Sequence, residues 1–252
     1  MKFGLCRMED ARKFNADYAE LNAAAVYKMT EEEFSALKEK VKKGELTPYA
    51  VNGLVPGDVR LTGPEVDFAK IREYAEKCFG RLCELGIKLL VFGSSAPKNV
   101  PEGFPMEKAW EQLFEVGKIF SDVAEKYGQT IAVEGLRRQE CNIINTLEEV
   151  YYYVEKVNRK NFLMLCDFYH VSQNGENVSD VKKYKGYLVH CHIAGYLERA
   201  VPTEKELPFI KECITALKEM GYEGGVSFEG TCDTKNAAQL TEMFNSFKKY
   251  AE

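Results

Sequence analysis

The sequence predicts a single (β/α)8 barrel, the TIM-barrel fold, that spans residues 1–252. Short apolar segments alternate along the chain with longer segments in which apolar residues recur every three or four positions. Several of the short segments are apolar with little alternation, as expected for parallel strands that are covered on both faces. The length also fits, because such barrels take about 250 residues.

The strands are predicted from the short apolar runs, each bounded by charged residues, glycine or proline. Their eight segments are KFGLC at 2–6, YAELN at 18–22, YAVNGLV at 49–55, IKLLVFG at 87–93, TIAVEGL at 130–136, FLMLCDF at 162–168, YLVHCHIA at 187–194 and GGVSFEG at 224–230.

Amphipathic helices are predicted between these strands, because apolar side chains spaced by three and four residues share one helical face. The clearest patterns lie at 68–82, 110–120, 147–154, 210–217 and 240–247. Gly86, Gly128 and Gly221 follow three predicted helices, where a left-handed cap needs a residue without a side chain. The first and sixth helices are predicted to be short. An open doubly wound sheet is the alternative, but CRMEDARK after the first strand lacks the glycine-rich phosphate loop of that fold.

Composition narrows the class of protein. The chain is 45% hydrophobic and 29% charged, which is typical of a folded globular protein. It has 34 Lys and Arg against 39 Asp and Glu, a formal charge of −5, so we expect no nucleic-acid partner. No apolar stretch reaches the about 18 residues of a membrane span, and the N-terminus has no signal-peptide core. The eight cysteines form no C-x-x-C pair and sit mostly in apolar runs. We therefore expect a reduced, soluble, cytoplasmic protein without a membrane partner.

Chemistry-bearing residues lie at the ends of four consecutive predicted strands: Glu134, Asp167, His192 and Glu229. A single glutamate there is usually a helix cap or an ion-pair partner. A single strand histidine, such as His190, is usually a core residue, and His190 is interpreted either as that or as a residue that orients neighbouring ligands. Three carboxylates that converge on one barrel rim would repel each other unless a cation lay among them. Three carboxylates and one imidazole suit Mn²⁺, Co²⁺, Mg²⁺ or Fe²⁺ better than zinc. The sequence thus predicts one divalent metal ion.

At these residues the chain resembles the xylose-isomerase-like TIM-barrel superfamily of sugar phosphate isomerases and epimerases. Within it, the sequence is most similar to the D-tagatose and D-psicose 3-epimerase group, over essentially the whole chain. Four segments carry the resemblance, namely VEGLRRQECNIINT at 133–146, CDFYH at 166–170, VHCHIAG at 189–195 and VSFEG at 226–230.

The resemblance implies that Glu134, Asp167, His192 and Glu229 bind one ion, expected to be Mn²⁺, and that Glu134 and Glu229 are also the catalytic acid/base pair. It implies substrate contacts from His170, Glu140 and an arginine. The epimerases place this arginine six residues after the metal histidine, where this chain has Glu198, so we assign the role to Arg199 from the Arg-x-Val-Pro match with one inserted residue.

The roles of two further residues are predicted from their positions relative to the strands. Asn52 lies where the third strand opens to the rim and is predicted to contact substrate. Lys98, in the loop after the fourth strand, could meet a phosphate, but we expect it to be solvated.

The function predicted on these grounds is a metal-dependent isomerase or epimerase of a ketose or related sugar ketone. It would remove a proton α to the carbonyl, giving an enediolate that the ion stabilises. A lyase or dehydratase acting on an inosose or oxo-sugar is the alternative, since the same site serves elimination. A nuclease of the endonuclease IV type is disfavoured by three histidines and the −5 charge. A non-catalytic sugar-binding barrel is disfavoured by the full ligand set. By resemblance we expect a homo-oligomer, a dimer or tetramer.

Overall fold

Eight parallel strands pair in chain order and close into a barrel, with β1 hydrogen-bonded to both β2 and β8. The structure, a computed structural model, describes residues 1–7, 11–233 and 236–252. The strands are β1 Lys2–Cys6, β2 Tyr18–Asn22, β3 Pro48–Asn52, β4 Leu89–Phe92, β5 Thr130–Glu134, β6 Phe162–Asp167, β7 Leu188–Ile193 and β8 Gly225–Phe228. The predicted (β/α)8 barrel is confirmed.

Helices cover the outside of the barrel and connect its strands. They are α1 Ala23–Lys28, α2 Glu31–Lys42, α3 Phe68–Glu84, α4 Ser95–Lys98, α5 Met106–Lys126, α6 Leu147–Val157, α7 Phe168–Gln173, α8 Leu207–Glu219 and α9 Ala237–Ala251, with 3₁₀ helices at Ala11–Phe14 and Val178–Tyr184. No helix within the described residues is both long and apolar enough to cross a membrane.

The two weak helices predicted from the sequence are short in the structure. A four-residue 3₁₀ helix precedes β2, and α7 has six residues before a second 3₁₀ helix. The predicted glycine caps are also confirmed, because Gly86, Gly128 and Gly221 have φ of +77°, +61° and +74°. The third strand ends at Asn52 rather than at residue 55, because Gly53 turns the chain with φ +56° and the apolar residues after it are buried in a loop.

The core has two parts. The larger part lies between the sheet and the surrounding helices. The smaller part fills the lower barrel interior with Ala50, Leu89, Val91, Ala132 and Leu165. Above it the interior becomes polar. All eight cysteines are free thiols, and six of them are buried, as their apolar surroundings predict.

Candidate metal and substrate site

The four predicted ligands meet at the carboxyl ends of β5 to β8. Glu134 and Asp167 are the last residues of β5 and β6, His192 lies near the end of β7, and Glu229 follows β8 directly. Strand register holds Asp167 opposite His192. One ligand atom from each of the four residues lies within 4.8 Å of the others. The structure therefore brings together the residues that the sequence selected.

The imidazole of His192 stands at the centre of this group and is fully buried. Its Nδ1 lies 3.1 Å from Oε1 of Glu134 and 3.0 Å from Oε2 of Glu229. Burial acts against a charged imidazole, but the negative charges of Glu20 and Glu229 raise the pKa of His192 well above its ordinary value. A positive charge is thus favoured where the carboxylates converge.

Asp167 caps the short helix α7, because its Oδ1 accepts a hydrogen bond of 2.8 Å from the backbone N–H of Tyr169. Its other oxygen, Oδ2, accepts a hydrogen bond of 2.9 Å from Nη2 of Arg199. Burial raises the pKa of Asp167, and the neighbouring Arg199 acts against that rise. The capping bond therefore fixes Oδ1 of Asp167, while Oδ2 faces Arg199 and the other predicted ligands.

Glu229 accepts hydrogen bonds from three side chains. Its Oε1 accepts hydrogen bonds from Asn52 at 2.9 Å and Arg7 at 3.2 Å, and its Oε2 accepts one from Arg199 at 2.7 Å. Burial would raise the pKa of this carboxyl, but His192 and Arg199 lower it to about 2. Glu229 is therefore ionised at neutral pH, and Asn52, predicted to contact substrate, directly contacts this predicted ligand.

Space for the Glu134 carboxylate comes from Gly93, just after β4. A Cβ atom built on Gly93 would overlap Oε2 of Glu134 and approach its carboxyl carbon to 2.8 Å. Any larger residue at position 93 would displace the Glu134 carboxylate. The close approach of the two residues therefore requires glycine there.

The expectation that Lys98 is solvated is wrong. Lys98 ends the four-residue helix α4 and is fully buried. Its Nζ donates a hydrogen bond of 3.3 Å to the backbone carbonyl of Glu134 and lies 5.3 Å from the ring centre of Phe92. Burial lowers the pKa of Lys98, while Cys141 and Glu134 act in the opposite direction. The lysine is buried because its amine makes a hydrogen bond to a carbonyl and a cation–π contact with an aromatic ring there.

His170 offers a free donor beside the predicted ligands. Its Nδ1 accepts a hydrogen bond of 3.1 Å from the backbone N–H of Arg137, which places the proton on Nε2. That Nε2 lies 3.5 Å from Oδ2 of Asp167 and has no hydrogen-bond partner among the described residues. Burial lowers the pKa of His170 to about 4, so the ring is neutral at pH 7. A buried N–H without a partner is costly and is typical of a binding position.

Glu140 and Arg199 belong to one cluster around Tyr169. Arg137 donates from Nε to Glu140 at 2.6 Å, and Nη1 of Arg199 lies 3.7 Å from the same carboxylate. The two guanidinium groups lie 5.3 and 5.0 Å from the ring centre of Tyr169. Arg199 reaches the site from a backbone with φ +49°, while Glu198 is exposed to solvent. The geometry favours Arg199 over Glu198 as the predicted site residue.

One residue of the polar interior was missed by the sequence reasoning. Glu20, in the middle of β2, is fully buried and contacts both His190 and His192. The signal was present, because YAELN places a carboxylate inside an otherwise apolar strand, and that is the same signal that selected Glu134.

A cavity of about 260 Å³ opens above these residues and is lined by Asn52, Glu134, Glu140, Arg199 and Glu229, among others. It is smaller than the about 300–1,000 Å³ typical of drug-sized ligands, which suits a small polar molecule. A neighbouring cavity of about 480 Å³ shares Arg7, Arg199 and Glu229 with the first. Of the predicted substrate residues, only His170 is absent from the lining of the first cavity, and it lies beside the predicted ligand Asp167.

The donor set fits a divalent cation. Three carboxylates and one imidazole nitrogen lie close enough to share one ion, and all four residues are mostly removed from water. In the described residues Arg199 offsets part of their negative charge, because its Nη2 bridges Asp167 and Glu229. Oxygen ligands with one nitrogen are typical of Mn²⁺, Mg²⁺, Co²⁺ and Fe²⁺ sites.

The sequence profile of the xylose isomerase-like TIM barrel matches residues 8–250. The chain belongs to this family. A D-psicose 3-epimerase of Ruminiclostridium cellulolyticum is 25% identical over 226 residues, covering 88% of this chain and 76% of that protein. An inosose isomerase of Bacillus licheniformis is 30% identical over 198 residues, covering 73% and 67%.

Solved structures agree with this fold. A D-allulose 3-epimerase from Methylomonas sp. superposes with a TM-score of 0.82 at 18% identity, covering 99% of this chain and 98% of that one. The IOLI protein, solved with a bound zinc atom, superposes with a TM-score of 0.66 at 21% identity, covering 99% and 96%. The predicted family resemblance is thus confirmed.

Proposed function

We propose that this protein is a divalent-metal-dependent isomerase or epimerase that acts on a ketose or related sugar ketone by removing a proton α to the carbonyl. The named relatives place it among sugar isomerases and epimerases as an enzyme. The observation that carries the finer proposal is that ligand atoms of Glu134, Asp167, His192 and Glu229 lie within 4.8 Å of one another, and that Glu134 and Glu229 line a small polar cavity.

In the proposed site those four residues hold one ion, for which we favour Mn²⁺, with Co²⁺, Mg²⁺ and Fe²⁺ as alternatives. Such an ion, when bound, supplies Lewis acidity that stabilises negative charge on a sugar oxygen. The zinc atom of the IOLI protein makes Zn²⁺ a further ion to test.

Proton transfer is assigned to Glu134 and Glu229. They extend from β5 and β8, which are separated by two strands of the barrel, so the two carboxylates approach the cavity from different directions. One carboxylate can therefore remove a proton from one face of a sugar while the other returns a proton to the opposite face. Asn52 and Arg199 hold Glu229 in place through the bonds described above.

His170 and Arg199 are assigned to the carbonyl end of the substrate. The neutral Nε2–H of His170 is an unused donor, and the guanidinium of Arg199 lines the cavity. Both can donate hydrogen bonds to an oxygen that gains negative charge in the transition state. Glu140, held by Arg137, can accept a hydrogen bond from a hydroxyl group farther along the sugar.

Two substrate classes follow from the relatives, free ketoses and inososes. The size of the first cavity suits a single sugar ring, and the adjoining cavity would leave room for a larger oxo-sugar. If the substrate is an inosose, a lyase or dehydratase is the alternative function. Removal of the same proton can then be followed by loss of a neighbouring group. Assembly into a homo-oligomer stays a prediction.

Proton NMR in D₂O tests the proposal. The protein is stripped with EDTA, reloaded separately with Mn²⁺, Co²⁺, Mg²⁺, Fe²⁺ or Zn²⁺, and incubated with ketoses, phosphorylated ketoses, inososes and oxo-glucosides. An epimerase or isomerase replaces one carbon-bound hydrogen by deuterium and leaves the formula otherwise unchanged, whereas a lyase changes the formula. A folded, metal-loaded protein that exchanges no hydrogen in any of these compounds would overturn the proposal.

A further inference from the structure

Glu20 links two histidines inside the barrel. Its Oε2 lies 2.8 Å from Nε2 of His190, and its Oε1 lies 2.9 Å from Nε2 of His192. Strands β2 and β7 are not neighbours, since β1 and β8 lie between them in the closed barrel. These hydrogen bonds therefore cross the barrel interior, and all three side chains are fully buried.

The chemistry of the three groups fixes the protons. An ionised carboxylate only accepts hydrogen bonds, so each histidine must carry its proton on Nε2. For His192 this leaves Nδ1 facing Glu134 at 3.1 Å and Glu229 at 3.0 Å. The two oxygens of Glu20 lie 2.8 and 2.9 Å from two imidazole nitrogens, which is the geometry of a carboxylate that accepts one N–H on each oxygen.

We propose that Glu20 is a positioning residue that holds His192 with Nε2–H toward the barrel interior and Nδ1 toward the metal ligands, while it anchors His190 with its other oxygen. This inference rests on the proposed metal site. Carboxylates that accept the second N–H of a metal-binding histidine fix its ring and tautomer, and their loss weakens metal binding about 10–100-fold.

The same atoms permit a competing arrangement. Cys6, Glu20 and His192 also lie within 4.8 Å of one another, and that group could hold an ion of its own. In the orienting role, however, both oxygens of Glu20 are occupied by imidazole N–H groups and Nε2 of His192 has no free lone pair. The orienting role therefore predicts one ion per chain, and the competing arrangement predicts two.

The first experiment measures Zn²⁺ affinity by competition with a chelating dye, for the wild type and for Glu20→Gln. A glutamine can accept from one histidine only, because its other terminal atom is a donor. We expect one ion per chain in the wild type and about 10–100-fold weaker binding in Glu20→Gln. Cys6→Ser is the matched control and should bind one ion with wild-type affinity.

The second experiment reads the tautomer directly by long-range ¹H–¹⁵N NMR of the Zn²⁺-loaded protein. The chain has only three histidines, so each ring is resolved, and His170→Gln assigns one of them. We expect protonated Nε2 and metal-bound Nδ1 for His192, and loss or broadening of that Nε2–H signal in Glu20→Gln. If Glu20→Gln does not fold, Glu20→Asp takes its place in both experiments. This variant keeps the charge but has a shorter side chain, so it should also weaken Zn²⁺ binding.

Each result decides one point. Folded Glu20 variants with wild-type Zn²⁺ affinity and an unchanged His192 Nε2–H signal would overturn the positioning role and leave the metal site intact. Two ions per chain, one of them lost in Cys6→Ser, would also overturn it. A folded wild type that binds no ion at pH 7 would overturn the proposed metal site, and with it the role of Glu20.

Discussion

The side-chain amide of Asn52 donates a hydrogen bond of 2.9 Å to Oε1 of Glu229 across the mouth of the barrel. Asn52 is the last residue of β3, and Glu229 follows β8. The bond therefore joins two sides of the cavity and fixes the rotation of a carboxylate that we assign to both metal binding and proton transfer.

Replacing Asn52 with leucine removes this donor and keeps the size of the side chain. Hydrogen bonds to charged groups contribute about 1.5–3 kcal/mol, so we expect kcat/KM to fall about 10–100-fold. Steady-state kinetics on the substrate found in the screen measure this effect. Unchanged kcat/KM in folded Asn52→Leu would show that the bond does not hold Glu229 for reaction.

The acid/base assignment predicts different behaviour for three glutamates of one cavity. Glu134→Gln and Glu229→Gln should each lower kcat about 10²–10⁴-fold, because glutamine cannot exchange a proton. Glu140→Gln is the matched control and should act mainly on KM, since that residue is assigned to a substrate hydroxyl. Turnover at wild-type rate in either of the first two variants would refute the assignment.

Arg199 contacts three carboxylates of the site, those of Asp167, Glu229 and Glu140. Arg199→Lys keeps one positive charge but loses the planar fork that reaches several acceptors at once. We expect kcat/KM to fall about 10–100-fold, with metal affinity changed less than in Asp167→Asn, which removes a proposed ligand. Calorimetric titration with Mn²⁺ measures the affinities. A larger loss of Mn²⁺ affinity in Arg199→Lys than in Asp167→Asn would contradict the assignment of Asp167 as a ligand and Arg199 as a substrate-binding residue.

The burial of Lys98 predicts that two substitutions at this position differ in their effect on the free energy of unfolding. Lys98→Met keeps the buried volume and removes a charge that burial disfavours, so the free energy of unfolding should change by less than about 1.5 kcal/mol. Lys98→Ala leaves a cavity and should cost about 2–5 kcal/mol. Urea denaturation compares them. Equal losses in the two variants would mean that the amine itself, through its bond to the Glu134 carbonyl, carries the stability.

Glu206 predicts a pH dependence of stability. This buried carboxylate holds the segment that carries Arg199, because it accepts hydrogen bonds of 2.9 Å from the backbone N–H groups of Leu197 and Thr203. Burial acts against its charge, yet these bonds lower the pKa of Glu206 below its ordinary value. The folded protein thus holds this proton less tightly than the unfolded chain does, so the stabilisation is complete above the ordinary glutamate pKa of about 4.3 and is lost as pH falls through the lower, folded pKa.

Glu206→Gln should therefore be about 1.5–3 kcal/mol less stable than the wild type near pH 7, and the difference should shrink in acid. Urea denaturation of both proteins at neutral pH and near pH 3 measures the two differences. The same difference at both values would show that ionisation of Glu206 does not hold the loop.

The sequence was sufficient for the barrel and for the placement of the proposed ligands, because the apolar runs mark the strands and their ends mark one rim. It was not sufficient for contacts across the interior. Glu20 meets His190 and His192 only when the sheet closes, since β2 and β7 are distant in the chain. Lys98 ends the short helix α4, and its local sequence does not show that its amine will contact a carbonyl of β5 and the ring of Phe92.

The central claim is that Glu134, Asp167, His192 and Glu229 share one divalent ion. Anomalous diffraction from Mn²⁺-loaded crystals at the manganese edge tests it most directly. We expect one peak per chain, about 2.0–2.3 Å from a carboxylate oxygen of each acidic residue and from Nδ1 of His192. No peak among these four side chains, or a peak bound by Cys6 and Glu20 instead, would contradict it.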